Sequence, residues 1–219
     1  TLGDTLVEDP RIRMVTFTGS TEVGKQLAAV AGRHQKKITL EMGGKSPLIV
    51  LKDADLDYAV DAAAFGIFLH QGQVCMANSR LIVEKEVYGR FCEKLVAKAT
   101  KLKIGDPHQP DTVIGPLVDA KQCAFIQAQV QDAVAMGGRV LCGGKSEVGF
   151  YQPTVIADVT TSMRIFDEES FGPVVCVIKA NDAEEALALA NKSSFGLSAG
   201  LITNDLQKAL DLSLRLETG

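Results

Sequence analysis

A regular alternation of short apolar runs with longer amphipathic runs constrains the fold of this chain more than any other feature. Near the N-terminus, residues 13–17 have the pattern of a buried strand, residues 21–31 that of a helix with one apolar side, and residues 37–40 that of a second strand. A strand, a helix and a strand in this order are typical of a βαβ unit, in which the two strands are parallel neighbours. Residues 11–41 are therefore predicted to form one such unit.

The alternation continues to the C-terminus. Asp119 and Asp182 stand immediately before helical patterns, where a carboxylate caps the first free N–H groups of a helix. Further strands are predicted at residues 48–51, 80–84, 174–178 and 198–203 and near Val140 and Thr154, and further helices at residues 56–69, 87–102, 119–136, 182–191 and 205–216. The pattern predicts an α/β fold with a layered, mostly parallel sheet and helices on both faces.

Composition narrows the function classes. Hydrophobic residues make up 46% of the 219 residues, enough for a substantial core, and the net charge is −4. An acidic balance argues against nucleic acid as a partner, and no apolar run reaches the length of a membrane span. The chain starts without Met or a signal region and stops directly after a helical pattern, so we expect a piece of a longer protein.

The five cysteines indicate a protein of the reducing cytoplasm without a metal site. They are scattered and no two form a C-x-x-C pair, which disfavours a disulfide framework or a zinc site. The three histidines, His34, His70 and His108, show no ligand spacing. Four cysteines lie in apolar patterns and are predicted to be buried, namely Cys92, Cys123, Cys142 and Cys176.

Cys75 is the strongest candidate for chemistry. It follows an apolar helical pattern and Gly72 and precedes the predicted strand at 80–84, a junction where a thiol can be held rigidly beside a cleft. A thiolate in such a place is a nucleophile for covalent catalysis. A buried structural cysteine fits the setting equally well. His70, five residues earlier, also leaves open a Cys–His dyad and hence a hydrolase or acyltransferase.

Glu41 supplies a carboxylate in a second segment that could take part in catalysis. It follows the predicted strand at 37–40 and precedes Gly43 and Gly44. A partly buried carboxylate there would have a raised pKa and could act as a base on water. A solvated glutamate at the end of a strand is the simpler interpretation of the residue by itself.

Two glycine–lysine–serine stretches do not match a phosphate-binding P-loop. That motif requires a glycine five places before Gly44, where this chain has Thr39, and five places before Gly144, where it has Arg139. Walker-type phosphate binding is therefore rejected.

Two further segments are compatible with a nucleotide. The turn at residues 17–20 includes Gly19 and Ser20 and opens a helix, whose N-terminus favours phosphate, although a simple capped turn explains it as well. The acidic loop at 167–173 carries Glu169, which could accept hydrogen bonds from ribose hydroxyls. A solvated run of charge is the commoner interpretation of such a loop.

Taken together, these segments resemble the aldehyde dehydrogenase superfamily. The matching pieces, in the family's order and spacing, are residues 17–20, 40–47, 72–75 with Ala77 and Arg80, 115–116 and 169–173. Each piece alone could mislead, but five in register cover essentially the whole chain. The resemblance implies a family-type catalytic domain and oxidation of an aldehyde with NAD or NADP.

The resemblance also implies residue roles. Cys75 would attack the aldehyde carbon, and its backbone N–H would help to hold the oxyanion. Glu41 would activate the water that hydrolyses the resulting thioester. The implied cofactor contacts are Gly19, Ser20, Met42, Gly43, Gln122, Glu169 and Phe171.

Domain organisation and partners follow from the same resemblance. Residues 1–41 would be the C-terminal part of a Rossmann-like cofactor domain, and residues 42–219 the thiol-bearing catalytic domain. The parent protein would be a homo-oligomer, either a dimer or a tetramer. The sequence of residues 68–77 most resembles that of relatives that act on benzaldehyde or vanillin. The isolated chain is expected to be an inactive module, because half of the cofactor cleft would lie outside it.

Overall fold

The computed structural model describes residues 2–147 and 149–219, whose contacts divide into two compact units. The first unit ends at Gly43 and the second is Gly44–Gly219. The first contains helix α1 (Leu2–Glu8), strand β1 (Met14–Thr18), helix α2 (Thr21–Arg33) and strand β2 (Lys37–Glu41). β1 and β2 are parallel and pair from Met14 opposite Lys37 to Thr18 opposite Glu41, which confirms the predicted βαβ unit.

The second unit is built on a six-stranded sheet. Its strands are β3 (Pro47–Val50), β4 (Arg80–Glu84), β5 (Arg139–Cys142), β8 (Thr154–Ala157), β9 (Val174–Ala180) and β10 (Gly200–Ile202). Their order across the sheet is β10-β3-β4-β9-β8-β5. Neighbours are parallel except β5 and β8, which are antiparallel. The prediction of a mostly parallel sheet is confirmed.

Helices cover both faces of this sheet. They are α3 (Leu56–Phe68), α4 (Lys85–Ala99), α5 (Ala120–Ala135), α6 (Arg164–Asp167), α7 (Ala183–Asn191) and α8 (Leu206–Arg215). The buried side chains of α3 and α4 join one core cluster, and those of α5, α7 and α8 join another. Every residue of β3 and β4 is buried, as expected for central strands of a parallel sheet with both faces covered.

In the part of the chain that the structure describes, four helices begin with an aspartate cap. The side chains of Asp55, Asp119, Asp182 and Asp205 each accept a backbone N–H from the first turn of the helix that follows. This arrangement satisfies donors that have no partner inside the helix. The predicted caps at Asp119 and Asp182 are therefore confirmed.

Some elements differ from the sequence prediction. α3 ends at Phe68, and residues Leu69–Gly72 form a short 3-10 turn instead of its last turn. α1, α6 and the two-residue hairpin strands β6 (Ser146–Glu147) and β7 (Phe150–Tyr151) were not predicted. The last three are too short to produce a measurable periodicity.

Cys142 corrects the prediction that four cysteines are buried. Cys92, Cys123 and Cys176 are buried, but Cys142 is only half-buried. It lies in β5, which stands at the edge of the sheet and is covered less completely than the central strands.

The described residues form neither a metal-binding cluster nor a membrane-spanning helix. Across residues 2–147 and 149–219, no cluster of three or more His, Cys, Asp or Glu side chains is arranged to hold a metal ion. In the same part of the chain, no helix is long and apolar enough to cross a membrane.

Candidate functional site

The segment before Cys75 has an unusual backbone. His70, Gln71 and Gly72 have φ values of 48°, 57° and 69°, so three consecutive residues adopt the left-handed conformation. That conformation is costly for residues with a side chain. A Cβ on Gly72 would collide with the carbonyl oxygen of Gly172, so glycine is required here. The turn thereby packs the Cys75 segment against the loop that contains Glu169.

Cys75 lies in the loop between this turn and β4, and it is a half-buried free thiol. On one side, Gly44 approaches so closely that a Cβ there would collide with the Cys75 carbonyl oxygen. On the other side, the backbone N–H of Asn78 donates to the carbonyl of Gly66 in α3, at 3.0 Å. The backbone around the thiol is therefore held by both contacts, while the residue as a whole is only half-buried.

Glu169 is connected to the same glycine. The backbone N–H of Gly44 donates to Oε1 of Glu169 at 3.0 Å. Burial raises the pKa of Glu169, while the Gly44 N–H and the Lys45 ammonium counteract that rise. Within the described residues, Oε2 of Glu169 has no hydrogen-bond partner. It is thus an acceptor available to a ligand hydroxyl, such as that of a ribose.

Gln122 holds the Glu169 loop from α5. Its carboxamide nitrogen donates to the carbonyls of Ser170, at 2.7 Å, and Phe171, at 3.3 Å. Phe171 has a φ of 47°, and its ring remains partly exposed. Gln122 therefore stabilises a strained loop, and its carboxamide oxygen is left for any contact with a cofactor.

Lys45 is a buried residue that the sequence analysis did not single out. Its side chain is 1% exposed, and its ammonium donates to Ser170 Oγ at 3.0 Å. Burial lowers the pKa of Lys45 to about 8. Its position within a glycine–lysine–serine stretch suggested only a P-loop, and that interpretation failed. No local pattern predicts that this lysine is buried.

Arg80 anchors the segment that carries Lys45. The buried guanidinium donates to the carbonyls of Lys45 at 2.8 Å, Leu189 at 3.1 Å and Ala190 at 2.9 Å. The last two carbonyls belong to the final turn of α7, where backbone acceptors lack helical partners and a cation is favoured. Arg80 also lies over the ring of Phe166, 5.1 Å from its centroid.

In the first unit, the remaining candidates lie together at the carboxyl ends of β1 and β2. The backbone N–H of Gly19 donates to the carbonyl of Glu41 at 3.0 Å, and Ser20 caps α2 by accepting the N–H of Val23 at 3.4 Å. The Glu41 side chain is exposed. The Met42 side chain packs close to Gly24 of α2.

The candidate residues are divided between the two units. Gly19, Ser20, Glu41, Met42 and Gly43 belong to the first unit, where the N-terminus of α2 presents backbone N–H groups suited to phosphate. Cys75, Gln122, Glu169 and Phe171 belong to the second, and contacts through Gly44 and Gly72 link their loops. Each set therefore fits part of a pyridine nucleotide.

His70 is not arranged as a partner for the thiol. It is exposed, and among the described residues it makes no hydrogen bond to Cys75. Its backbone is instead part of the left-handed turn. The Cys–His dyad considered above has no geometric support.

Comparison with known proteins gave consistent matches over the whole chain. The model of the aldehyde dehydrogenase family matches residues 1–219. Vanillin dehydrogenase of Pseudomonas fluorescens is 48% identical over 214 residues, which cover 98% of this chain and 44% of the relative. Benzaldehyde dehydrogenase [NAD(+)] of Pseudomonas putida is 44% identical and covers 100% of this chain, which spans 45% of that protein.

A solved structure agrees with these matches. The crystal structure of a salicylaldehyde dehydrogenase from Pseudomonas putida G7, complexed with salicylaldehyde, has a TM-score of 0.97 and 42% identity. The match covers 100% of this chain and 45% of that one. The chain therefore spans less than half the length of the relatives it matches.

Proposed function

The chain belongs to the aldehyde dehydrogenase family, and from this premise we propose that the intact protein oxidises an aldehyde to a carboxylic acid with NAD+ or NADP+. The observation that carries the proposal is the thiol of Cys75, partly accessible and held by its backbone beside the Glu169 loop. The roles of the individual residues below belong to the same proposal.

Cys75 begins the proposed reaction. Its thiolate attacks the carbonyl carbon, forming a thiohemiacetal, and the backbone N–H of Cys75 donates to the new oxyanion. Preorganised donors of this kind contribute about 3 to 4 kcal/mol in related chemistry. The nicotinamide, when bound, supplies the acceptor for the hydride that leaves the thiohemiacetal carbon. A thioester on Cys75 is left.

Glu41 completes the cycle. Its carboxylate takes a proton from water, the resulting hydroxide attacks the thioester carbon, and the Cys75 thiolate leaves as the carboxylic acid is released. This role requires the Glu41 carboxylate and the Cys75 sulfur to reach one reaction space in the intact protein.

The proposed cofactor contacts divide between binding and orientation. Gly19 and Ser20 would lie along the pyrophosphate, with Met42 and Gly43 near the nicotinamide. Glu169 would accept from the nicotinamide ribose, with Phe171 nearby and Gln122 toward the adenosine ribose. The last role is secondary to the loop contacts that the Gln122 side chain already makes.

We propose aromatic aldehydes as the substrate class. The relatives compared above carry vanillin, benzaldehyde and salicylaldehyde in their names. In the segment of the chain around Cys75, residues 65–76, the large apolar side chains of Phe65, Leu69 and Met76 are 68%, 43% and 58% exposed. Exposed apolar side chains in this segment would suit a planar ring.

The proposal extends to the parent protein and its domains. The parent protein is a cytoplasmic homo-oligomer, a dimer or a tetramer. Residues 1–41 are the end of its cofactor domain and residues 42–219 its catalytic domain. The 219-residue chain alone is expected not to turn over.

The function is tested by replacing the thiol in the intact protein. Cys75→Ala should abolish oxidation of benzaldehyde and vanillin with either cofactor, because no other group would form the acyl intermediate. Turnover is measured as NADH or NADPH formation across an aldehyde panel. Cys142→Ala, at another half-buried cysteine, is the matched control and should keep most activity. Undiminished oxidation in the Cys75 variant would refute the proposal.

A further inference from the structure

A buried cation lies behind the Glu169 loop. Lys45 is 1% exposed, and so is its hydrogen-bond partner Ser170. An ammonium group loses much hydration on burial, which is tolerated only with suitable partners. The proposed reaction assigns no role to this group.

The lysine is rigidly connected to both functional loops. Its backbone carbonyl accepts from the buried guanidinium of Arg80, so that the main chain is fixed. The residue before it, Gly44, contacts the Cys75 carbonyl and donates to Glu169 Oε1. The ammonium then holds Ser170, the residue next to Glu169 in sequence.

We propose that Lys45 is a positioning residue, which orients the Glu169 carboxylate through Ser170 and thereby sets the affinity for the pyridine nucleotide. This inference rests on the proposed function, in which Glu169 accepts hydrogen bonds from the cofactor ribose. Lys45 contacts neither the cofactor nor the substrate in this proposal.

Electrostatics support a pH-dependent role. The titratable and charged groups that act on Lys45 are Arg80, Asp167, Glu169 and Cys176. Burial lowers its pKa to about 8, with Arg80 adding to the decrease and the other three opposing it. Above this pH, Lys45 loses the charge that faces Glu169.

The first test compares cofactor affinity in the intact protein. Dissociation constants for NAD+ and NADP+ are measured by calorimetry at pH 7, and the tighter cofactor is used throughout. Lys45→Met should raise the constant at least tenfold. The rate at which iodoacetamide alkylates Cys75 without cofactor, followed by peptide mass spectrometry, should stay within twofold of wild type.

A pH series separates positioning from a structural role. Between pH 7 and pH 9, the wild-type dissociation constant should rise by up to about tenfold as Lys45 deprotonates. In Lys45→Met the series should be flat over this interval. Lys192→Met is the matched control, because Lys192 also donates to a hydroxyl, Thr161 Oγ1 at 3.1 Å, but is exposed. Its dissociation constant should change with pH as that of the wild type does.

A second variant keeps the inference testable if Lys45→Met does not fold. Ser170→Ala removes the acceptor and keeps the charge, and should weaken cofactor binding several-fold. The double variant should bind the cofactor no more weakly than Lys45→Met, since both changes remove the same hydrogen bond between Lys45 and Ser170.

Unchanged cofactor affinity in a folded Lys45→Met protein would overturn the inference. A fall in the rate of Cys75 alkylation as large as the fall in cofactor affinity would also overturn it. If Lys45→Met does not fold, unchanged affinity in Ser170→Ala overturns it. A wild-type protein that binds neither nucleotide would instead refute the proposed function, so the two failures are distinguishable.

Discussion

The backbones of Cys75 and Glu41 are fixed, whereas neither side chain makes a hydrogen bond within the described residues. Gly44 packs against the Cys75 carbonyl, and the Glu41 carbonyl accepts from Gly19. In the proposed reaction, the Cys75 nucleophile and the Glu41 base could therefore meet a substrate without first losing a protein partner. The two proposed roles should then be separable by single substitutions.

Glu41→Gln should leave acylation of Cys75 intact and slow deacylation by about 100-fold or more, because a positioned general base contributes that much. An acyl adduct should then accumulate on Cys75 and be visible by intact-protein mass spectrometry. Glu93→Gln, an exposed glutamate of α4, is the control and should show no adduct. Absence of an adduct in a slowed Glu41 variant would argue against the assigned role.

At the scale of elements, the turn Leu69–Gly72 decides where Cys75 lies. An uninterrupted α3 would continue past Phe68, but three left-handed residues redirect the chain toward the Glu169 loop. Strain of this kind persists only where surrounding contacts enforce it. Here the contact is between the backbones of Gly72 and Gly172.

Gly72→Ala should lower the free energy of unfolding of the intact protein by at least about 2 kcal/mol, because the new Cβ collides with backbone and φ is positive. Alkylation of Cys75 should change as well, since the loop must shift. Gly89→Ala is the matched control: Gly89 lies in α4 with open space around it, and alanine should stabilise the helix by up to about 1 kcal/mol. Equal unfolding midpoints in urea for the two variants would contradict this account.

Across the whole molecule, the buried charge of Lys45 couples stability to pH. Its pKa falls from 10.5 to about 8 on folding, so the unfolded chain binds more protons between these values. Stability therefore rises with pH through this window, and the cost of the buried charge is fully present below pH 8.

The free energy of unfolding of the intact wild-type protein, minus that of Lys45→Met, should rise by about 1 kcal/mol between pH 7 and pH 9. Urea unfolding at several pH values measures it, and the subtraction removes the titration of other groups. Lys101 is an exposed residue after α4, and the free energy of unfolding of Lys101→Met should differ from that of wild type by the same amount at every pH. A constant difference for Lys45→Met would show that Lys45 keeps an ordinary pKa.

Much of the fold was predictable because its determinants are local. The apolar periodicity predicted the βαβ unit and, apart from the short α6, the helices of the second unit, and aspartates marked two helix starts. Cys75 and Glu41 were recognisable as candidates because glycines and element ends surround them. Such signals depend on residues adjacent in the chain, which the sequence displays directly.

The rest was decided by contacts between distant segments. Lys45 is indistinguishable in sequence from an exposed lysine until Ser170 and Arg80 enclose it. Cys142 shares the apolar setting of the buried cysteines, yet its strand lies at the sheet edge. The amino-acid order by itself determined the α/β pattern and the family, because periodicity and motif spacing are properties of the chain. Only the tertiary structure decided which charges are buried and where the Cys75 loop packs, because burial depends on what folds over each residue.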